Sequence, residues 1–234
     1  MVLTAMKRAL ISVYDKTSIV DFARELDKMR IEIISTGGTY ETLKKAGIKS
    51  VKHVSEVTGF PEILEGRVKT EHPKLIGGIL ALRDKEEHMR DLERHGIEAF
   101  DWVVCNLYPF EKVTANGADM KTALENIDIG GPNMIRAAAK NFENVVVVVN
   151  PRRYNQILSE YKKSGNVTAE TRKDLEKVYA NVTTEYDKSI SSVEEAFEKD
   201  GNDFKLNVSH QINSLVSSSD SNSSALVTNI QSTK

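Results

Sequence analysis

The hydrophobic pattern opens with a short apolar run, Ala9 to Val13, after which the period lengthens. From Thr17 onward, Ile19, Val20, Phe22, Ala23 and Leu26 recur at helical spacing. Thr17 suits the N-cap of that helix. A second apolar burst, Ile31 to Ile34, ends at Ser35-Thr36-Gly37-Gly38, so the opening predicts strand, helix, strand. The spacing predicts a second helix from about Tyr40 to Ala46, stopped by Gly47 as a left-handed C′ residue, and then a short strand at Val51 to Val54. Leu75 to Leu82 and Trp102 to Leu107 read as further strands, separated by a charged helix over Asp84 to His95. Val145 to Val149 are consecutive valines, and a strand with no polar alternation needs cover on both faces. The class predicted is α/β, a three-layer parallel sheet with helices on both faces.

Pro151 suits a first helical turn, and Tyr154, Ile157, Leu158 and Tyr161 form a stripe behind it. A long helix is expected from Thr168 to about Lys199, on the spacing of Leu175, Val178, Tyr179, Val182, Tyr186, Ile190, Val193 and Phe197. Residues 1–200 are therefore expected to form one globular unit. From Gly201 onward Ser and Asn dominate, notably Ser217 to Ser224, and residues 201–234 are expected to be a disordered tail without chemistry.

Composition narrows the function classes. With 234 residues and 40% hydrophobic content the chain can bury one core, and a formal net charge of −2 argues against a general nucleic-acid binder. The single cysteine, Cys105, excludes an internal disulfide. His53, His72, His88, His95 and His210 never fall at zinc-ligand spacing with it or with one another, so no metal is expected. No apolar run approaches membrane-spanning length and Met1 to Lys7 does not read as a signal peptide, which points to the cytoplasm, with no membrane partner.

Ligands of open α/β sheets gather beyond the strand exits, so the polar clusters there are the candidates. The first is Ser12-Val13-Tyr14-Asp15-Lys16, equally readable as an ordinary helix entry. The second, Ser35-Thr36-Gly37-Gly38-Thr39, would turn successive N–H groups toward an anion at a helix start, or be a tight turn with Thr39 as N-cap. The third, Gly66 to Lys74, crowds Arg67, Lys69, His72 and Lys74 around Pro73. Cations so close repel unless an anion or acidic neighbour is present, and a solvated loop is the competing reading. The fourth runs from Asn126 through Asp128, Gly130 and Gly131 into Arg136, Lys140 and Asn141, where a bland alternative is a glycine turn before a small-residue core helix. Between them, Asn106-Leu107-Tyr108-Pro109-Phe110 pins an amide and a phenol at a strand exit, while Cys105 by itself reads as a small buried hydrophobe.

In this order, the Lys16 loop, Ser-Thr-Gly-Gly-Thr, Thr58-Gly59-Phe60-Pro61-Glu62, Gly-Arg-Val-Lys-Thr-Glu-His-Pro, Asn-Leu-Tyr-Pro-Phe and Ile-Asp-Ile-Gly-Gly-Pro resemble the IMP cyclohydrolase family over roughly residues 7–190. The resemblance implies a methylglyoxal-synthase-like fold, no cofactor, no metal, and a formamidoimidazole carboxamide ribotide as the nucleotide substrate. That substrate would close its second purine ring with loss of water to give IMP. It implies Lys140 as proton donor and acceptor, Asp128 as the group that orients or deprotonates the carboxamide, and Lys69 with Tyr108 at the oxyanion. Substrate contacts carry over to Ser12, Tyr14, Asp15, Lys16, Thr36, Gly37, Gly38, Thr39, Arg67, Val68, Thr70, Cys105, Asn106, Ile129 and Gly130.

The family usually fuses this domain to an AICAR transformylase, whose Arg-Tyr-Gly-Glu-Asn-Pro-His-Gln element is not found here, so formyl transfer is not expected. Three departures stand out: Tyr14 where Ser is common, Glu71 where Leu is common, and Ile76 in place of a frequent His. Rival functions are a methylglyoxal-synthase-like lyase and a non-catalytic allosteric nucleotide module, and the oligomeric state is open, a homodimer being one outcome.

Overall fold

The structure is a computed structural model that describes residues 7–108, 110 and 119–200. Its centre is a five-stranded, all-parallel sheet in the order β3-β2-β1-β4-β5, with β1 Arg8–Val13, β2 Glu32–Ser35, β3 Val51–His53, β4 Trp102–Asn106 and β5 Val146–Val148. β1 is central, pairing Leu10 with Ile34 on one side and with Val103 on the other. The unbroken apolar strands follow from this, since Leu10, Ile11, Ile33, Val103, Val104 and Val146 are all fully buried.

The helices are α1 Ile19–Lys28, α2 Gly37–Lys45, α3 Val54–Thr58, α4 Pro73–Leu80, α5 Glu86–Arg94, α6 Met120–Glu125, α7 Gly130–Lys140, α8 Tyr154–Ser164 and α9 Ala169–Asp200. α1 packs on α2 and α8, while α4 packs on α3 and α7, giving the two helical layers. Strand order reverses beside β1, because the chain leaves β1 toward β2 and returns to its other edge as β4. Parallel crossovers are right-handed, so the two directions of winding put helices on opposite faces and open a crevice beyond the ends of β1 and β4.

Several boundaries differ from the sequence reading. Leu75 to Leu82 is not a strand: Pro73 opens α4, His72 Nδ1 accepts from Lys74 N at 3.1 Å as its cap, and Leu75, Gly78 and Ile79 form the buried face. A short apolar run does not distinguish strand from helix by period, and here the glycines decide. A Cβ on Gly78 would lie 2.5 Å from Glu98 O and 3.0 Å from Phe100, so only glycine lets α4 settle against that segment. α2 begins at Gly37, a turn earlier than expected, with Thr36 at the N-cap position. The N-cap of α1 is Ser18, not Thr17.

Contacts group the chain into two units, 1–108 with 128–183, and 109–127 with 184–234. The first holds the sheet and every site residue discussed below. In the second, Asp119 caps α6 by accepting from Thr122 N at 2.8 Å, and Phe110, Ala123, Leu124, Ile127, Ile190 and Val193 line a small apolar cavity. The expectation of a disordered tail over residues 201–234 lies outside the described residues.

Candidate active site

The exits of β1 and β4 are tied together. Asn106 Oδ1 accepts from both Tyr14 N and Asp15 N at 2.8 Å, and its Nδ2 donates to Asp15 O at 3.1 Å, so one amide fixes the β1 exit loop from the far side of the switch point. Asp15 Oδ1 in turn accepts from Thr17 N at 2.9 Å. The rings of Tyr14 and Tyr108 meet at 4.9 Å, both about half exposed, and form an aromatic edge beside this loop.

The second cluster joins β2 to β1. Thr39 is buried and does not cap α2; its hydroxyl donates to Val13 O at 2.9 Å and accepts from Val13 N at 3.0 Å. The Ser12 and Thr36 hydroxyls share a 2.8 Å hydrogen bond, which turns Thr36 away from the start of α2, and no side chain caps that helix. Gly37 has φ +41, and the Lys16 ammonium lies 4.0 Å from where a Gly38 Cβ would stand. An uncapped helix N-terminus with an ammonium close to its first turn has the make-up of an anion cradle.

The third cluster rests on a backbone reversal marked in the sequence by a single glycine. Leu64 (φ 52), Glu65 (φ 56) and Gly66 (φ 85) are successive left-handed residues, and the reversal they make is clasped by the antiparallel bridge Ile63–Val68. Two non-glycine residues in that region cost on the order of 1 kcal/mol each. Beyond the reversal Arg67 is exposed, and Lys69 N and Thr70 N both donate to Glu71 Oε2 at 3.1 Å while Thr70 Oγ1 donates to Glu71 Oε1 at 3.1 Å. Those backbone donors of the Arg67–Thr70 segment are thus already engaged.

Opposite this loop lies the start of α7. Asp128 Oδ1 accepts from Gly131 N at 2.9 Å, folding the carboxylate over the diglycine. The carboxyl titrates above its ordinary range because burial disfavours its charge; the Gly131 N–H and the nearby Lys69 ammonium oppose that, and Glu71 reinforces it. A carboxylate so placed is a competent proton acceptor at a pH nearer neutrality than a free aspartate. A Cβ on Gly131 would stand 2.5 Å from Asp128 Oδ2 and 2.8 Å from Leu107 Cδ2, and one on Gly130 would stand 2.8 Å from Glu71 Oε1. Glycine at both positions is what lets Asp128 and the Lys69 loop converge.

Two predicted residues sit otherwise than expected. Cys105 is 2% exposed, its Sγ 4.0 Å from Gly131 O, and burial pushes its thiol far up, so it is a neutral thiol packed against the diglycine. Lys140 is the last residue of α7, exposed, at the other end from Asp128. From Gly130 the helix rises roughly 15 Å at 1.5 Å per residue. Its neighbour Asn141 donates to Ile79 O and Ala81 O at the end of α4, which confirms that Lys140 belongs to the opposite edge of the sheet. The pairing of Asp128 with Lys140 in one pocket is therefore not made within a chain, because the helix that links them also separates them. Ile129 is exposed and Val68 half-buried, both beside the site. Among the described residues no three His, Cys, Asp or Glu side chains are grouped so as to hold a metal ion, and no helix is long and apolar enough to cross a membrane.

A five-stranded, all-parallel sheet wound in both directions from β1, with polar loops gathered beyond the exits of β1 and β4, defines an α/β protein of the methylglyoxal-synthase-like class, and the MGS-like domain model matches residues 18–133. The model of the AICARFT/IMPCHase bienzyme matches residues 138–220. The chain is 52% identical over 187 residues to the bifunctional purine biosynthesis protein PurH of Persephonella marina and 54% identical over 187 residues to that of Acetivibrio thermocellus, covering 80% of this chain in each case. The solved structure titled "Crystal structure of ForH" superimposes with a TM-score of 0.73 at 33% identity, covering 79% of this chain and 95% of that one. The chain belongs to the PurH family, and it spans about a third, 36%, of the length of those curated relatives.

Proposed function

We propose that this chain is an IMP cyclohydrolase of purine biosynthesis, a cytoplasmic enzyme that closes the ring of the formamidoimidazole carboxamide ribotide. The observation that carries the proposal is the convergence on one diglycine of Asp128, held by Gly131 N, and the 69–71 loop, whose Thr70 and Glu71 side chains lie against Gly130. The cradle of Ser12, Lys16, Thr36, Gly37 and Gly38 holds the phosphate, and the Tyr14–Tyr108 edge with Asn106, Arg67 and Thr70 borders the base.

The reacting groups are tethered, so holding the reactive rotamer supplies much of the rate. Asp128 takes a proton from the carboxamide nitrogen as that nitrogen bonds to the formyl carbon, and Lys69 with Tyr108 stabilises the charge on the formyl oxygen. That oxygen then leaves as water, carrying one proton from the carboxamide and one from the formamido nitrogen. Lys140 serves this site only if a second copy of the chain presents it. Purified protein given the formylated ribotide should show the ultraviolet rise of a purine without added metal or folate. Tight nucleotide binding by folded protein with no such rise would assign it instead to a non-catalytic nucleotide module.

A further inference from the structure

We infer that Glu71 is a positioning residue of this site: its carboxylate sets the turn that holds Lys69 and Thr70 against the start of α7, and it stands as a second negative charge beside Asp128. The inference rests on the cyclohydrolase reading for its kinetic consequences only. Glu71 is one of the departures from the family pattern, where Leu is common, and it was not among the residues expected at the site. A leucine there could hold none of the three donors that Glu71 gathers, Lys69 N, Thr70 N and Thr70 Oγ1. Nor could it place a charge against Gly130, where only the missing Cβ leaves room for Oε1.

Among the described residues, groups from three elements bear on Asp128. The 67–72 loop brings Lys69 and Glu71, β4 brings the neutral Cys105 thiol, and α7 brings the Gly131 N–H. Arg136 and Lys140 lie six and ten residues beyond Gly130, roughly 9 and 15 Å of helical rise along α7. Of these groups Glu71 is the one that, together with burial, disfavours the charged carboxylate. Glu71 thus keeps Asp128 a stronger base while the same carboxylate anchors the backbone of Lys69, the cation that offsets it.

Two variants separate charge from shape. Glu71→Gln keeps the length and an acceptor oxygen, whereas Glu71→Leu removes both. Carboxyl 13C NMR of the ligand-free protein, with Asp128 assigned through Asp128→Asn, should show the Asp128 midpoint falling by roughly half a unit to one unit in both variants, the scale of one lost charge in a partly solvated site. The acid limb of kcat/KM should move to lower pH by the same amount, and kcat should fall at least tenfold in Glu71→Leu with a smaller loss in Glu71→Gln. A merely structural Glu71 would lower activity in Glu71→Leu and leave both titrations where they were, which would overturn the inference. A shifted Asp128 midpoint in a wild-type protein that forms no purine would sink the cyclohydrolase reading and leave this one standing. Should Glu71→Leu fail to fold, the Glu71→Gln titration decides alone.

Discussion

Replacing Gly131 with alanine is the most direct probe of how the site is assembled. Alanine in a helix ordinarily stabilises by about 1 kcal/mol over glycine. Here the new methyl would stand 2.5 Å from Asp128 Oδ2 and 2.8 Å from Leu107 Cδ2, both well inside van der Waals contact. Overpacking of this kind costs about 1–3 kcal/mol, so the two effects leave a net loss of roughly 0–2 kcal/mol in folding stability. Relief comes most easily by swinging the Asp128 side chain, which breaks its bond to Gly131 N and moves the carboxylate by about 1 Å, enough to cost on the order of 100-fold in rate. Urea denaturation should therefore show a small change while purine formation drops about two orders of magnitude. Gly77→Ala is the control, since its Cβ would meet Ile97 Cδ1 at an ordinary 3.5 Å; there stability should hold or rise by up to about 1 kcal/mol with full activity. Wild-type turnover in Gly131→Ala would refute the idea that the diglycine exists to seat Asp128.

Asp128→Asn should stop turnover yet raise the melting temperature at neutral pH: a carboxyl whose folded pKa is raised above the unfolded value lowers stability as pH climbs through that window. The gain should shrink as pH falls toward 4, and a variant that melts earlier than wild type at pH 7 would contradict the burial argument. Cys105, with its thiol pushed up by burial, should resist iodoacetamide at pH 8 until the protein is unfolded, as mass spectrometry can follow. Asp101 Oδ2 accepts from Lys7 N and Arg8 N and its Oδ1 from Arg83 Nη1, so Asp101→Ala should destabilise by about 3 kcal/mol in denaturant while KM stays unchanged in whatever fraction folds. If a second copy presents Lys140, mixing Asp128→Ala with Lys140→Ala chains should regain about a quarter of wild-type activity from two inactive parents; half the dimers are mixed and each has one intact site. No recovery in exchanged mixtures would remove Lys140 from the mechanism.

Much of this architecture was legible because α/β folding couples local pattern to global position. Continuous apolar runs such as Val145 to Val149 announce strands covered on both faces, and the polar residues just after β1, β2 and β4 fall at the crevice by the topology alone. The Leu75 to Leu82 run misled because its decisive feature, Gly78 pressed against Glu98 and Phe100, is a tertiary contact with no periodic trace. The Leu64–Glu65–Gly66 reversal left only one glycine to mark three left-handed residues.

The separation of Lys140 from Asp128 within one chain was already contained in the sequence spacing. The diglycine opens 11 residues of uninterrupted helix, which is a rod, and residues at its two ends cannot share a pocket in one chain however close they stand in a motif. Asp128 and Glu71 are 57 positions apart and converge on the diglycine, because the crossover from α4 to β4 returns the chain to the same edge of the sheet; Asp128 and Lys140 are 12 apart and stand at opposite ends of α7. In a parallel α/β fold the crossover helix carries the chain from the ligand edge to the opposite one. Catalytic groups of a single chain are therefore to be sought one whole strand-and-helix unit apart, and a group at a helix's far end can reach the chemistry only from another molecule.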